Sequence, residues 1–305
     1  MGAYILRRLL LGIITLIGLS IVVFVLTRAS GDPVALLLGP QATAEQIEAE
    51  RARLGLDESM PVQYWSFIKE AATGDFGESL FYHEPASEIV MDKFPATLKL
   101  IVVSLAFGIP LGILIGVLCA IKRNKAFDIL GRTLALVGQA LPVFWVGILL
   151  VLIFSVKWEI FPAGGMSGPQ SYVLPAATLG SFVVAAFTRL TRSAMLDVLG
   201  NDFISFARAR GISEKSVILK HALKNAFLPI LTFVGLIFVR LLAGTIAVEA
   251  IFVWPGIGLL SYQSVLAGDY PVVQTIVLLF GVVTIGVNLM IDLLYGQLDP
   301  RIRYT

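Results

Sequence analysis

The chain has 305 residues, of which 57% are hydrophobic and 14% charged, with a formal net charge of +2 and a mean hydropathy of +0.87. Soluble domains carry about 25% charged residues, so this balance excludes an ordinary soluble fold and places the chain in a bilayer, with no nucleic-acid partner expected. The single cysteine, Cys119, rules out an intrachain disulfide.

A helix crossing the hydrocarbon needs about 20 apolar residues, because each backbone amide must be satisfied within its own helix. Six segments meet that requirement. The first runs from Leu9 to Thr27, behind Arg7 and Arg8; its apolar core is too long for a signal peptide, so an uncleaved helix is expected. The second spans Leu100 to Ile121 and carries Gly108, Gly112 and Gly116, a small-residue repeat that marks close helix packing. The third covers Thr133 to Val156. The fourth is Ser171 to Thr188, with Pro175 and Gly180 tolerated as they are in membrane helices. The fifth, Ala226 to Val248, is interrupted by Arg240, and the sixth runs from Val272 to Ile291.

Lys and Arg favour the cytoplasmic side of a bilayer. With both termini cytoplasmic, the inner segments hold 15 of the 23 basic residues, concentrated in 122–132 and 189–224. The expected organisation is an inner terminus and first helix (1–27), an outer helical loop (28–96), and a transmembrane domain (97–305) with a cytoplasmic loop at 189–227. In the outer loop, Thr43 and Gln46 have capping-box spacing, predicting a helix that ends near Gly55. Pro61 opens a second helix, with Tyr64, Trp65 and Ile68 at helical spacing, that stops near Gly74. Residues 28–94 hold twelve carboxylates against five basic side chains. That excess either follows from excluding Lys and Arg from outer loops or steers a basic partner or cationic solute.

No catalytic or metal constellation is visible. The sequence has no Gly-Lys pair for a phosphate-binding loop and no G-x-S-x-G elbow, and its two histidines, His83 and His221, lie in different loops. No cofactor is expected on this chain, and no enzyme activity.

The inner loop 202–229, DFISFARARGISEKSVILKHALKNAFLP, is the most informative stretch. Asn201 or Asp202 can cap a helix bearing Phe203, Phe206 and Ala207 on one face, with Arg208 elsewhere, and Gly211 ends it. Ser213 caps a second helix, with Glu214 at its positive end and Lys220 and Lys224 toward its negative end; it runs through Leu228-Pro229 into the fifth span. Such a basic amphipathic rod either docks on a protein and converts a push into helix tilt, or lies on anionic headgroups.

The run Ala207-Arg208-Ala209-Arg210-Gly211, followed by His221 to Ala226 and Leu228-Pro229, resembles the coupling loop of ABC-transporter permeases of the dipeptide, oligopeptide and nickel importer branch. That loop has the form Glu-Ala-Ala, three residues, Gly; Ala207 and Gly211 match, while Ser205 and Phe206 replace the Glu and first Ala. The resemblance continues in order through Tyr4 to Leu10, Gly31-Asp32-Pro33, Leu54-Gly55-Leu56-Asp57, Gly74-Asp75-Phe76-Gly77 and Phe94-Pro95-Ala96-Thr97-Leu98. It extends through Trp254-Pro255-Gly256 with Gly258, Asp269-Tyr270-Pro271-Val272 and Leu298 to Arg303. It implies an all-α, six-helix type I importer permease in the bacterial inner membrane. The implied partners are a second homologous permease, two cytosolic ATPases that carry ATP and Mg, and an external solute-binding protein. It also implies that Asp202, Phe203, Phe206, Ala207, Arg208, Ala209, Gly211, Leu228 and Pro229 meet an ATPase. The solute would be a dipeptide or oligopeptide, with glutathione and nickel chelates handled by similar systems. The alternatives are an ion-gradient carrier, which usually has more intramembrane ionisable groups than Arg240 and Asp292, and a membrane scaffold.

Arg240 either faces the translocation path and meets a substrate carboxylate, or pairs structurally with Asp292 or another acid. Trp254, Pro255 and Gly256 form an outer turn that serves as gate or binding-protein seat, or as an interfacial anchor.

Overall fold

The computed structural model describes residues 2–29, 34, 38, 42–53 and 55–298. Gly31-Asp32-Pro33, Leu54 and the Asp299 to Arg303 run lie outside the described residues. Eleven helices carry the architecture: α1 (Gly2–Ala29), α2 (Ala44–Arg53), α3 (Met60–Ala71), α4 (Ala86–Ile121), α5 (Ala126–Ala140), α6 (Val143–Leu150), α7 (Val173–Leu199), α8 (Asp202–Ala209), α9 (Leu223–Ile251), α10 (Ile257–Ala267) and α11 (Tyr270–Leu298). Among the described residues the one non-helical pairing is an isolated antiparallel bridge, Glu78 to Pro85. Five helices are long and apolar enough to cross a bilayer, and a sixth crossing is supplied if the bent α5–α6 pair counts as one span.

That bend corrects the expectation of a continuous third span. The two halves meet at 102°. The cause is Pro142, whose ring disfavours helical geometry at the preceding residue: Leu141 sits at φ −72°, ψ 134° and ends α5. Pro142 then starts α6, its carbonyl accepting the Trp145 and Val146 amides at 3.0 and 3.2 Å.

The chain divides into two compact units. The first takes in the described residues of Met1–Ala96 and Pro255–Met290. In it the capping box forms as spelled: the Thr43 amide donates to Gln46 Oε1 at 2.9 Å and the Gln46 amide to Thr43 Oγ1 at 3.3 Å. Helix α3 lies along the end of α1, with Tyr64 edge-on to Phe24 at 5.4 Å, Phe67 stacked on it at 5.8 Å, and Ser20 and Tyr64 sharing a 3.0 Å hydroxyl bond. Helix α1 also meets α11 closely, since a methyl group on Gly12 would come within 2.9 Å of Ile285 and one on Gly281 within 2.7 Å of Leu19. The buried Gln274 side chain donates to Thr27 Oγ1 at 2.8 Å.

Buried Asp269 ties the segment at Ser79 and Leu80 to the start of α11. Its carboxylate accepts the Ser79 hydroxyl at 2.5 Å and the Leu80 amide at 3.1 Å. Gly74 and Gly77 make the tight path that delivers Ser79, at φ of +84° and +82°.

The second unit takes in the described residues of Thr97–Trp254 and Ile291–Asp299. Its seam is the glycine repeat of α4 laid on α7. A Cβ at Gly108 would stand 2.9 Å from Val183, at Gly112 2.6 Å from Phe187 Cβ and 2.9 Å from the Val184 carbonyl, and at Gly116 2.7 Å from Thr191. Backbones this close gain dispersion contacts that larger residues would forbid, the main attraction available where lipid is as apolar as the side chains. Helix α7 runs past the expected end at Thr188 to Leu199, because Ala194 and Met195 in its last turns are buried against the same unit.

Gly112→Val should overpack this seam and destabilise the detergent-solubilised chain by about 1–3 kcal/mol or more, read as a lower thermal midpoint. Gly18→Ala, where a Cβ meets nothing within 4 Å, should leave the midpoint unchanged.

Candidate functional site

The segment 202–229 packs as a knob on the ends of the membrane helices. Ile204 and Ala207 of α8 are buried with Val117 and Ala120 of α4, Ala194 and Met195 of α7, and Val217, Ala222 and Ala226 on the approach to and first turns of α9. Small side chains at 207, 222 and 226 let the two helical pieces close on this core. Ala207 therefore shares its face with Ile204, and not with the two phenylalanines: Phe203 and Phe206 point away and are 43% and 64% exposed. The i, i+3 pairing of Ile204 with Ala207 was open to sequence reasoning; which apolar face goes inward was not.

Local chemistry fixes the shape of the knob. Asn201 occupies the cap position of α8 through its backbone, its carbonyl accepting the Ile204 amide at 3.0 Å, and neither its side chain nor that of Ser213 makes a capping bond. Gly211 adopts φ +76°, a conformation that costs an L-residue about 1–2 kcal/mol, and its amide donates to the Arg208 carbonyl at 2.9 Å. Across that turn Arg208 clamps Glu214 through two bonds of 3.1 and 2.7 Å. Exposed pairs of this kind are worth little in stability, so the clamp sets geometry more than energy. Arg210 lies over the Phe206 ring at 5.8 Å. A helical turn at Glu214–Ser216 and a π-helical stretch at Val217–Ala222 lead without a break into α9, which continues past Pro229. Asp202, Phe203, Phe206, Arg208, Ala209, Gly211 and Pro229 are exposed, Leu228 is half-buried and Ala207 buried.

An ion pair that the sequence reading missed joins α5 to α7. Asp128 at the start of α5 is fully buried and accepts two bonds from Arg192 of α7, at 2.5 and 2.9 Å, together with the Asn124 amide at 2.9 Å. Nothing in the local pattern of 122–132 or 189–192 distinguishes these two residues from the neighbouring charges.

The remaining site candidates fall in other places. Arg240 is exposed, with its guanidinium 4.6 Å above the Phe182 ring, and it forms no ion pair with Asp292 or any other described residue. A cation–π contact contributes about 0.5–2 kcal/mol, less than the about 2.5–3.5 kcal/mol an arginine costs in mid-span, so this contact alone does not explain the residue. Asp292 is half-buried. Trp254, read from sequence as part of a gate, a binding-protein seat or an interfacial anchor, is wholly buried, edge-on to Tyr172 at 4.6 Å. It follows Val253, whose φ of +47° strains a β-branched residue, and its amide returns to the Glu249 carbonyl at 2.9 Å to close α9. Pro255 is half-buried, and Gly256 caps α10 through its backbone. Glu249, which lies one residue beyond the fifth span as read from sequence, is a fully buried carboxylate accepting the Thr97 hydroxyl at 2.7 Å.

Among the described residues, helices long and apolar enough to cross a bilayer pack around a glycine seam and carry an exposed aromatic knob at their ends. Residues 108–304 match the family of binding-protein-dependent transport system inner membrane components, and residues 1–101 match its N-terminal companion family. The chain belongs to this family and is an ABC-importer permease, a multi-pass inner-membrane protein, which decides against the ion-gradient carrier and the scaffold. Curated relatives include the glutathione transport system permease proteins GsiC of Salmonella typhimurium and Escherichia coli K12. They are 44% and 42% identical over 302 residues, 99% of each chain. The inward-facing MetNI methionine ABC transporter shares the fold at TM-score 0.58 and 18% identity, covering 69% of this chain and 96% of that one. An amino acid ABC transporter does so at 0.53 and 17%, covering 69% and 94%.

Asp128→Ala should strand Arg192 and cost about 3–5 kcal/mol, read as a fall in the thermal midpoint in nanodiscs. The double variant Asp128→Leu with Arg192→Met should recover most of that loss.

Proposed function

We propose that this chain is one permease half of an importer for small peptides, driven through residues 202–211 by ATPases that are separate chains. The observation that carries the proposal is the exposure of Phe203 and Phe206 on a helix whose opposite face is fastened to α4, α7 and α9. Large aromatics left outward beside Arg210 are the residue types that anchor protein interfaces. A knob packed on three helix ends, and continuous with α9, transmits displacement to the spans as a rigid body.

In this reading two cytosolic ATPases bind ATP and Mg, a second similar permease completes the path, and an external binding protein delivers the solute. Both termini are cytoplasmic, which puts 202–229 on the ATPase side and residues 28–96 outside, and 97–305 forms the transmembrane domain. Asp202, Ala209, Leu228 and Pro229 border the contact, Arg208 holds its turn, and Ala207 and Gly211 shape it. The relatives named for glutathione transport, a tripeptide carrying carboxylates, favour a peptide solute here. Arg240 and Asp292 are assigned to the path, Arg240 as the cation that meets a solute carboxylate, because its guanidinium faces outward from this chain. The turn at Trp254, Pro255 and Gly256 serves as the outer gate or binding-protein seat, with Trp254 as its buried root.

In reconstituted importer, Phe206→Ala and Gly211→Val should each cut peptide uptake at least tenfold while ATP hydrolysis loses its dependence on loaded binding protein. Unchanged uptake in both would reject the coupling role. Arg240→Gln should lower uptake of a dipeptide with a free carboxylate at least tenfold more than its C-terminal amide, whereas a purely structural residue would lower both alike.

A further inference from the structure

The first unit contains a cavity of about 760 Å³ beside α2, α3, the end of α1 and the start of α11, within the size range of small-molecule sites. Two of its lining side chains carry buried polar atoms with no hydrogen-bond partner. One is Nε of Arg28, the last basic residue of α1, whose guanidinium lies 5.4 Å over Phe24 and has no carboxylate within ion-pair distance among the described residues. The other is Oε1 of Gln63, on α3. The orientation of that amide is fixed, because Nε2 already donates to the Leu56 and Glu58 carbonyls at 3.0 and 2.8 Å. A buried polar atom left without a partner costs about 1–3 kcal/mol, so a donor and an acceptor orphaned in one cavity mark a site prepared for something else.

The charges of the lining say what that is. Glu50, Glu58, Glu70 and Glu78 disfavour a pure anion, and Arg28 disfavours a pure cation. Arg53 is already committed to Glu50 at 2.6 Å, which leaves Arg28 as the guanidinium open to an oxyanion. We infer that this cavity binds a small zwitterion, its oxyanion against Arg28 and its ammonium against Gln63 Oε1 and the acidic lining. Two sources offer that chemistry: a soluble peptide with both ends free, and a phosphatidylethanolamine headgroup reaching up from the bilayer. None of its lining residues is one assigned to the path or to the ATPase contact, so the inference holds whether or not the coupling reading does.

The test uses the full chain in nanodiscs of phosphatidylcholine and phosphatidylglycerol, whose headgroups lack an ammonium N–H, titrated calorimetrically with dialanine and without ATP or binding protein. Saturable binding is expected, at least tenfold weaker for N-acetyl-dialanine and for dialanine amide, and at least tenfold weaker in Arg28→Gln. Arg28→Lys, which keeps the charge and loses the Nε donor, should lose part of the affinity. If Arg28→Gln fails to insert, the end-blocked peptides and Arg28→Lys still decide. If the lipid is the ligand, phosphatidylethanolamine will co-purify with the unsubstituted chain more than with Arg28→Gln or Arg28→Lys and will compete with dialanine. Neither dialanine binding nor selective lipid retention, or binding indifferent to Arg28, would overturn the site and leave a water-filled cavity.

Discussion

The contact on which the second unit depends is the approach of α4 to α7 at Gly108, Gly112 and Gly116. In a bilayer no hydrophobic force drives one apolar helix onto another, so packing density has to do it. Glycine at every fourth position removes the side chains that would hold the backbones apart, and Phe187 and Thr191 fill the space released. The same two helices then present Val117, Ala120, Ala194 and Met195 as the seat for α8. The segment 202–229 is thus seated on the same two helices that the seam joins.

Charge is handled in two ways across this unit. Asp128 is fully buried and is held by the half-buried Arg192 in a bidentate pair with an additional backbone donor, so the carboxylate does not face the interior alone. Arg240 is left outward on an aromatic face with no such partner. A pair of the first kind fixes helices, whereas Arg240 makes no ion pair with a described residue.

Much of the permease was legible from local pattern. The spans, the Thr43 and Gln46 box, the end of α8 at Gly211 and the glycine seam follow from residue types at fixed short spacings, which act through backbone hydrogen bonding and excluded volume within a turn or two. The run of short motifs in order marked the family. The helical segment at 202–229 was also readable, but the side that faces the protein was not. Phe203 and Phe206 carry the larger apolar side chains, yet Ile204 and Ala207 are buried, because the small Ala207 and the neighbouring Ala222 and Ala226 let that face close on the core.

The sequence alone determined that the chain crosses a bilayer as helices and where its turns fall, since hydrocarbon leaves a backbone few ways to satisfy its own amides. Tertiary structure alone decided that Asp128 meets Arg192, that Asp269 holds Ser79, that Trp254 is buried rather than anchored at an interface, and that the third span bends at Pro142 through 102°. The two contacts join residues 64 and 190 positions apart, and the angle of a bend depends on what packs on either side. Local propensity does not encode a partner that distant; only the assembled core selects it.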